Sequence, residues 1–182
     1  MKQLIAETEE TLAPYFKYIE EVAYENQEKV LNAFHAVKAT ENDLQDTTGY
    51  GYDDLGRDHL EAIYAHAFKA EDAIVRPQII SGTHAITIAL QSVLKYGDEL
   101  LYITGNPYDT LLEVIGINGN GIESLREQGV SYDKVDLKES DIDIPAVFKQ
   151  IKPQTKEIDI QRSKDYAQTP SITLAITEQT VQ

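Results

Sequence analysis

The chain has no cysteine among its 182 residues. Disulfides, thiolate catalysis and sulfur-ligated zinc are therefore excluded. It has no tryptophan and a single methionine. No stretch approaches the roughly 18 consecutive apolar residues that a membrane span needs. The start, Met1 to Glu7, turns acidic before a signal-peptide core can form, so a cytoplasmic protein is expected. Positive charge is scarce: 16 Lys+Arg stand against 31 Asp+Glu, a formal net charge of −15. Such a surface repels nucleic acid and acidic membranes, and a bound anion needs a local site that overcomes the field. Neither a G-x-x-x-x-G-K-[ST] loop nor a G-x-S-x-G elbow occurs. His59 and His66 share a helical spacing, but no carboxylate completes a ligand set with them. Asp53-Asp54 reads as a helix-start cap rather than a cation site, and no metal is expected.

What is present is ordinary globular composition, 42% hydrophobic and 26% charged, in a chain long enough for a real core. From Pro14 to Lys38, Tyr15, Ile19, Val22, Val30, Ala33 and Val37 form one stripe of a 3.6-residue period. Phe16, Ala23, Leu31 and Phe34 widen it. That helix packs either in a core or on a partner subunit. Residues 39–57 lose periodicity and read as a loop carrying Gly49, Tyr50, Gly51, Tyr52 and Arg57. A helix follows, with Leu60, Ile63, Ala67 and Phe68 on one face.

After Ala70 the pattern changes. Ala73–Ile80 reads as one or two short strands and His84–Lys95 as a helix. Glu99–Thr104 is expected as a strand, Pro107–Ile115 as a helix, and Val130–Val135 as a strand. Ile144–Ile151 is expected as a helix and Lys156–Gln161 as a strand. Strands alternating with helices imply a mainly parallel α/β sheet. We expect residues 1–70 to form N-terminal helices with an interface loop, and 71–182 to form the α/β part.

Open α/β sheets gather ligands at the carboxyl ends of their strands. Four such ends carry Ser81-Gly82-Thr83-His84, Thr104 to Tyr108, Asp136, and Gln161-Arg162-Ser163-Lys164. In the first, free N–H groups at a helix start, a glycine that admits close approach and the helix dipole suit a phosphate. The same residues also make an ordinary N-cap and turn. Tyr108 stands where it either stacks on a flat ligand or packs on its own helix.

Several long segments together resemble one family. They are T-T-G-Y-G-Y-D-D-L-G-R-D, V-R-P-Q-I-I-S-G-T-H-A-I, G-D-E-L-L-Y-I-T-G-N-P-Y-D-T-L-L-E-V-I-G and I-Q-R-S-K-D-Y. In order and spacing, over about residues 10–171, they resemble the methionine gamma-lyase-related proteins, also called aluminium-resistance or cystathionine beta-lyase-like proteins. These belong to the fold-type I enzymes that use pyridoxal 5'-phosphate (PLP) in cysteine and methionine metabolism. The resemblance implies the large domain of the aspartate aminotransferase-like fold, a homo-oligomer (dimer or tetramer) and a small amino-acid substrate.

It also implies residue roles. Ser81, Gly82, Thr83 and His84 would hold the cofactor phosphate and Tyr108 would stack on its ring, with Arg162 and Ser163 at the next strand end. Tyr50, Tyr52 and Arg57 would reach a neighbouring subunit's cofactor. The pyridinium-facing aspartate, the Schiff-base lysine and the small C-terminal domain are expected on later segments than those present. The chain is thus read as the N-terminal portion of a PLP-dependent carbon–sulfur lyase; the alternative is a non-catalytic structural or subunit-binding fragment. Twelve lysines occur, and only Lys164 follows a strand end on the expected side. We expect no covalent cofactor attachment and no thiol release from this chain.

Overall fold

The computed structural model describes residues 1–48, 50, 54–163 and 171–181. The chain divides into two compact units, Met1–Gln78 and Ile79–Gln182.

The first unit opens with helix α1, Lys2–Ala36. It starts well before Pro14, where periodicity alone placed it. Pro14 lies inside and removes one intrahelical N–H. The flanking straight-chain residues, with pairs such as Lys17–Glu21 at 4.0 Å, favour helix on both sides. Of its residues only Ala33 is buried, and Tyr15, Phe16, Tyr18, Ile19, Val22 and Tyr24 are exposed.

A short 3-10 helix, Glu41–Leu44, falls in the segment expected to be irregular. Helix α2, Leu55–Phe68, follows. Asp43 Oδ1 lies 2.7 Å from His59 Nδ1, tying the short helix to α2. A Cβ on Gly56 would collide with the Asp43 carbonyl, so only glycine permits that approach. Asp54 caps α2, accepting from the Arg57 N–H at 3.2 Å.

Residues 73–80 form no strand, contrary to the sequence expectation. Glu61 of α2 explains this for the first part of the segment. Its carboxylate accepts the Val75 N–H at 3.0 Å and pairs with the Arg76 guanidinium. Pro77 has no N–H to offer a ladder. The segment is held by side chains instead.

The second unit alternates as expected: α3 (Gly82–Val93), β1 (Glu99–Tyr102), α4 (Asp109–Ile115), β2 (Ser131–Lys134), α5 (Ile144–Gln150) and β3 (Thr155–Asp159). The tail, poorly matched to the family pattern by sequence, forms α6, Leu174–Val181. The sheet order is β2-β1-β3 and both pairings are parallel. Central β1 is buried along its whole length, as a strand covered on both faces should be. Leu100 and Tyr102 face Leu90, Leu94, Ile115, Leu125 and Val130. Leu101 and Ile103 face Val135, Ile142 and Val147. Fully burying each of these leucines stabilises by roughly 1.5–3 kcal/mol.

Glu99, at the start of β1, is almost wholly buried. Its carboxylate accepts from Lys152 Nζ at 2.8 Å and from Thr155 Oγ1 at 2.6 Å. Lys152 also reaches Asp133 Oδ2 at 2.9 Å, and Gln150 donates to the same oxygen. Burial raises the Asp133 carboxyl, but the hydrogen bonds from Lys152, the Lys134 N–H and Gln150 outweigh it and hold it below its ordinary range.

The other acids of β3 behave oppositely. Burial lifts Glu157, and the neighbouring Asp159 charge lifts it further. Burial also lifts Asp159, only partly offset by a hydrogen bond from the Tyr102 hydroxyl. Tyr102 itself is pushed up by burial and by Asp159. A carboxyl raised in the fold binds its proton more tightly there than in the unfolded chain. Its contribution is present below the unfolded pKa and is lost as pH rises through the folded one. Asp159→Asn keeps an acceptor for Tyr102 and removes the charge. Thermal melts should therefore show the variant more stable than wild type at neutral pH, with the gap closing at about pH 4. A variant no more stable at neutral pH would show that the Asp159 charge does not weaken the fold.

Candidate functional site

The carboxyl ends of β1 and β3 and the starts of α3 and α4 are linked by side-chain hydrogen bonds. Ser81 caps α3, its Oγ accepting the His84 N–H at 3.1 Å. Ser81 O accepts the Ala85 N–H at 3.0 Å. The N–H groups of Gly82 and Thr83 are left without an acceptor among the described residues. A Cβ added at Gly82 would meet nothing within 4 Å, so the approach to those donors is open. His84 is half-buried, its Nδ1 accepting the Ile80 N–H at 3.4 Å.

From α3 the network crosses to α4. Thr83 Oγ1 lies 2.8 Å from Thr110 Oγ1. One hydroxyl donates to the other, leaving the acceptor's own proton available. Tyr108, half-buried, is the N-cap residue of α4, and its N–H donates to Gln161 Oε1 at 2.8 Å. Gln161 sits just past β3. Its N–H donates to Thr104 Oγ1 at 3.1 Å and its Nε2 to the Ser163 carbonyl at 3.2 Å. Gly105, in the left-handed region at φ +89°, turns the chain away from β1. Its N–H donates to the Val135 carbonyl at 2.9 Å. Asp136, beyond β2, accepts from Lys134 Nζ at 2.7 Å.

The structure thus brings together Ser81, Gly82, Thr83, His84 and Tyr108 with the start of the Gln161–Ser163 segment. Arg162 is exposed and donates from Nε to the Ile172 carbonyl at 3.2 Å; Ser163 is exposed. Tyr50, Arg57 and Tyr52 belong to the first unit. Tyr50 is exposed, and Arg57 Nε pairs with Asp54 Oδ2 at 3.0 Å. Tyr52 and Lys164 lie outside the described residues.

Thr104, Thr110 and Gln161 were not foreseen as site members. Gln161 stood in a strand-end segment already singled out, but nothing in sequence shows which side chain turns back to the neighbouring loop. Among the described residues no three histidine, aspartate or glutamate side chains gather as metal ligands. No described helix is long and apolar enough to cross a membrane.

The parallel sheet and the open helix start define an α/β protein with an anion-suited turn at its strand ends. The family model for methionine gamma-lyase matches residues 1–182, and the chain belongs to that family. The Bacillus subtilis (strain 168) protein YnbB is 50% identical over 177 residues, covering 96% of this chain and 42% of that protein. A crystal structure from Listeria innocua, described as a "putative cystathionine beta-lyase involved in aluminum resistance", superposes with a TM-score of 0.94 at 49% identity. It covers 100% of this chain and 45% of that one. A "carbon-sulfur lyase involved in aluminum resistance" from Clostridium novyi NT gives a TM-score of 0.91 at 36% identity, with 98% and 43% covered. The chain thus spans less than half the length of these relatives.

Because a Cβ at Gly82 would meet nothing within 4 Å, replacing it separates binding from folding. Gly82→Val should leave the thermal midpoint unchanged while weakening inorganic phosphate about tenfold in equilibrium dialysis. Unchanged phosphate affinity would remove Gly82 from the anion site.

Proposed function

We propose that the second unit is the phosphate-holding part of a PLP-dependent transferase-type large domain. We further propose that it serves a carbon–sulfur lyase acting on a sulfur-containing amino acid of the cystathionine, methionine or cysteine type. The observation that carries this is the open start of α3. Two backbone N–H groups lack acceptors there, a glycine leaves room above them, and the helix dipole favours an anion. The family membership and the lyase descriptions of the relatives support the same reading.

The residues fit the cofactor. Gly82 and Thr83 would hold the phosphate from their backbone. Ser81 fixes the turn by accepting the His84 N–H, and His84 closes its rim. Tyr108 would present its ring to a flat heterocycle, and Arg162 and Ser163 complete the rim on the β3 side. Tyr50, Tyr52 and Arg57 would serve a neighbouring copy. When bound, PLP supplies the electron sink for carbanion chemistry. The chain's own contribution is to bind and orient.

Moving the substrate proton needs an amine with a lowered pKa, which burial away from other charges provides. None of the described lysines of the second unit is buried. Lys134 is held by Asp136, and Lys152 by Glu99 and Asp133. We therefore expect this chain to bind the cofactor without covalent attachment. PLP should bind more tightly than pyridoxal, mass spectrometry after borohydride should show no lysine adduct, and thiol release should not exceed a PLP-only control. Equal affinity for PLP and pyridoxal would overturn the phosphate site, and thiol release would show that a lysine of this chain, Lys164 first among them, does the chemistry.

A second reading, a piece acting through subunit contact alone, is favoured by α1. Its exposed row of Tyr15, Phe16, Ile19 and Val22 is the kind of apolar surface that a homo-oligomer covers. Sedimentation should show at least a dimer at high micromolar concentration, and a monomer there would remove the homo-oligomer.

A further inference from the structure

We infer that Gln161 is the positioning residue of the Tyr108 stack. The inference rests on the cofactor-site reading above and extends it to a side chain that would not itself touch the ligand. Gln161 makes three hydrogen bonds, two of them to the loop carrying Tyr108. Its Oε1 accepts the Tyr108 N–H at 2.8 Å. Its backbone N–H donates to Thr104 Oγ1 at 3.1 Å, and its Nε2 donates to the Ser163 carbonyl at 3.2 Å. Thr104 begins the turn that leaves β1, and Tyr108 ends it at the N-cap of α4. One residue, through its backbone N–H and its side-chain oxygen, therefore meets both ends of the turn from just past the neighbouring strand.

The geometry of that turn suits such an anchor. Gly105 holds a left-handed conformation, and Pro107 has no N–H. Helix α4 is short, and its N-cap residue makes no side-chain capping bond. The Gly105 N–H meets the Val135 carbonyl, and the Tyr108 N–H meets Gln161 just past β3. Released from Gln161, Tyr108 loses the bond that holds its backbone N–H beside the end of β3. The phosphate turn has a cap of its own, since Ser81 Oγ accepts the His84 N–H. Gln161 should therefore govern the ring and leave the phosphate alone.

The chain has no tryptophan, so Tyr108→Trp creates a single fluorescent reporter at the stacking position. Titration with pyridoxamine 5'-phosphate should quench it. Adding Gln161→Ala should reduce the quenching amplitude and weaken pyridoxamine phosphate about tenfold, with inorganic phosphate affinity unchanged. Gln161→Glu retains the acceptor for the Tyr108 N–H and should restore the amplitude. In the parent chain with Tyr108 intact, Gln161→Ala should speed amide exchange at Tyr108 and leave that of α3 unchanged, a readout independent of the reporter. If the reporter quenches with Gln161 present and Gln161→Ala alters neither amplitude nor exchange, the inference fails and the cofactor reading stands. Weakening of both ligands by one factor would reduce Gln161 to a structural role. A reporter that never responds to pyridoxamine phosphate would overturn the cofactor reading, and the inference with it.

Discussion

Glu99 carries a carboxylate into the amino edge of the sheet, and the strand arrangement depends on how that charge is neutralised. Lys152, from the turn between α5 and β3, and Thr155, the first residue of β3, both close on it. Lys152 reaches on to Asp133 of β2. One cation thus ties all three strands at one end. A buried carboxylate deprived of its partner is strongly destabilising, because the charge then lies uncompensated in a poor solvent. The irregularity of the β1–β3 register, between Glu99 and Leu100, falls beside the same clamp. At the opposite end the loop after β1 is tied to the segment after β3 by Gln161.

Much of this was legible in the sequence, because parallel α/β units write their period plainly. The run from Glu99 to Tyr102 has no polar interruption after its first residue, and the strand is buried on both faces. Ser81-Gly82-Thr83 announced a helix start and proved to be one. Two readings failed for identifiable reasons. Residues 73–80 carry strand-forming side chains, but Glu61 takes up the Val75 N–H and the Arg76 guanidinium, a long-range competition that no local pattern shows. The start of α1 was placed at Pro14 because the apolar periodicity was read from there, yet the residues before it are themselves good helix formers. Gln161 and Thr110 were missed although both lie in segments that carry the resemblance, because a segment does not show which of its side chains turns to a neighbouring element. Their roles arise only when β3 and α4 are set beside β1 and α3.

The acidic charge of the chain sharpens the question of how an anion is held. With a net −15, a phosphate approaches against the mean field. Among the described residues, Lys134 is paired with Asp136, and Arg162 engages a carbonyl through one of its nitrogens. On the proposed reading the attraction would come from groups that cannot be neutralised by a neighbouring carboxylate, namely the backbone N–H groups of Gly82 and Thr83 and the dipole behind them. Such fixed donors also discriminate. They favour a compact oxyanion at one point and offer nothing to a diffuse anionic surface, as the repulsive field requires.

The outer face of α1 and the sheet leave different demands unmet, and the difference governs what can cover each. Along α1 the demand is apolar, through aromatic and branched side chains. Hydrophobic attraction has no direction, so any apolar face of fitting shape satisfies it. On the sheet the demand is polar. Glu157 Oε2 and the Tyr132 hydroxyl are buried without a hydrogen-bond partner among the described residues, and burial pushes Tyr132 up to about 12. Each such group costs about 1–3 kcal/mol until a partner meets it at the right angle. Protonation relieves Glu157 of its charge but not of its need for a partner. A cover for α1 can therefore be permissive, whereas anything seated against Glu157 and Tyr132 must present donors and acceptors in register.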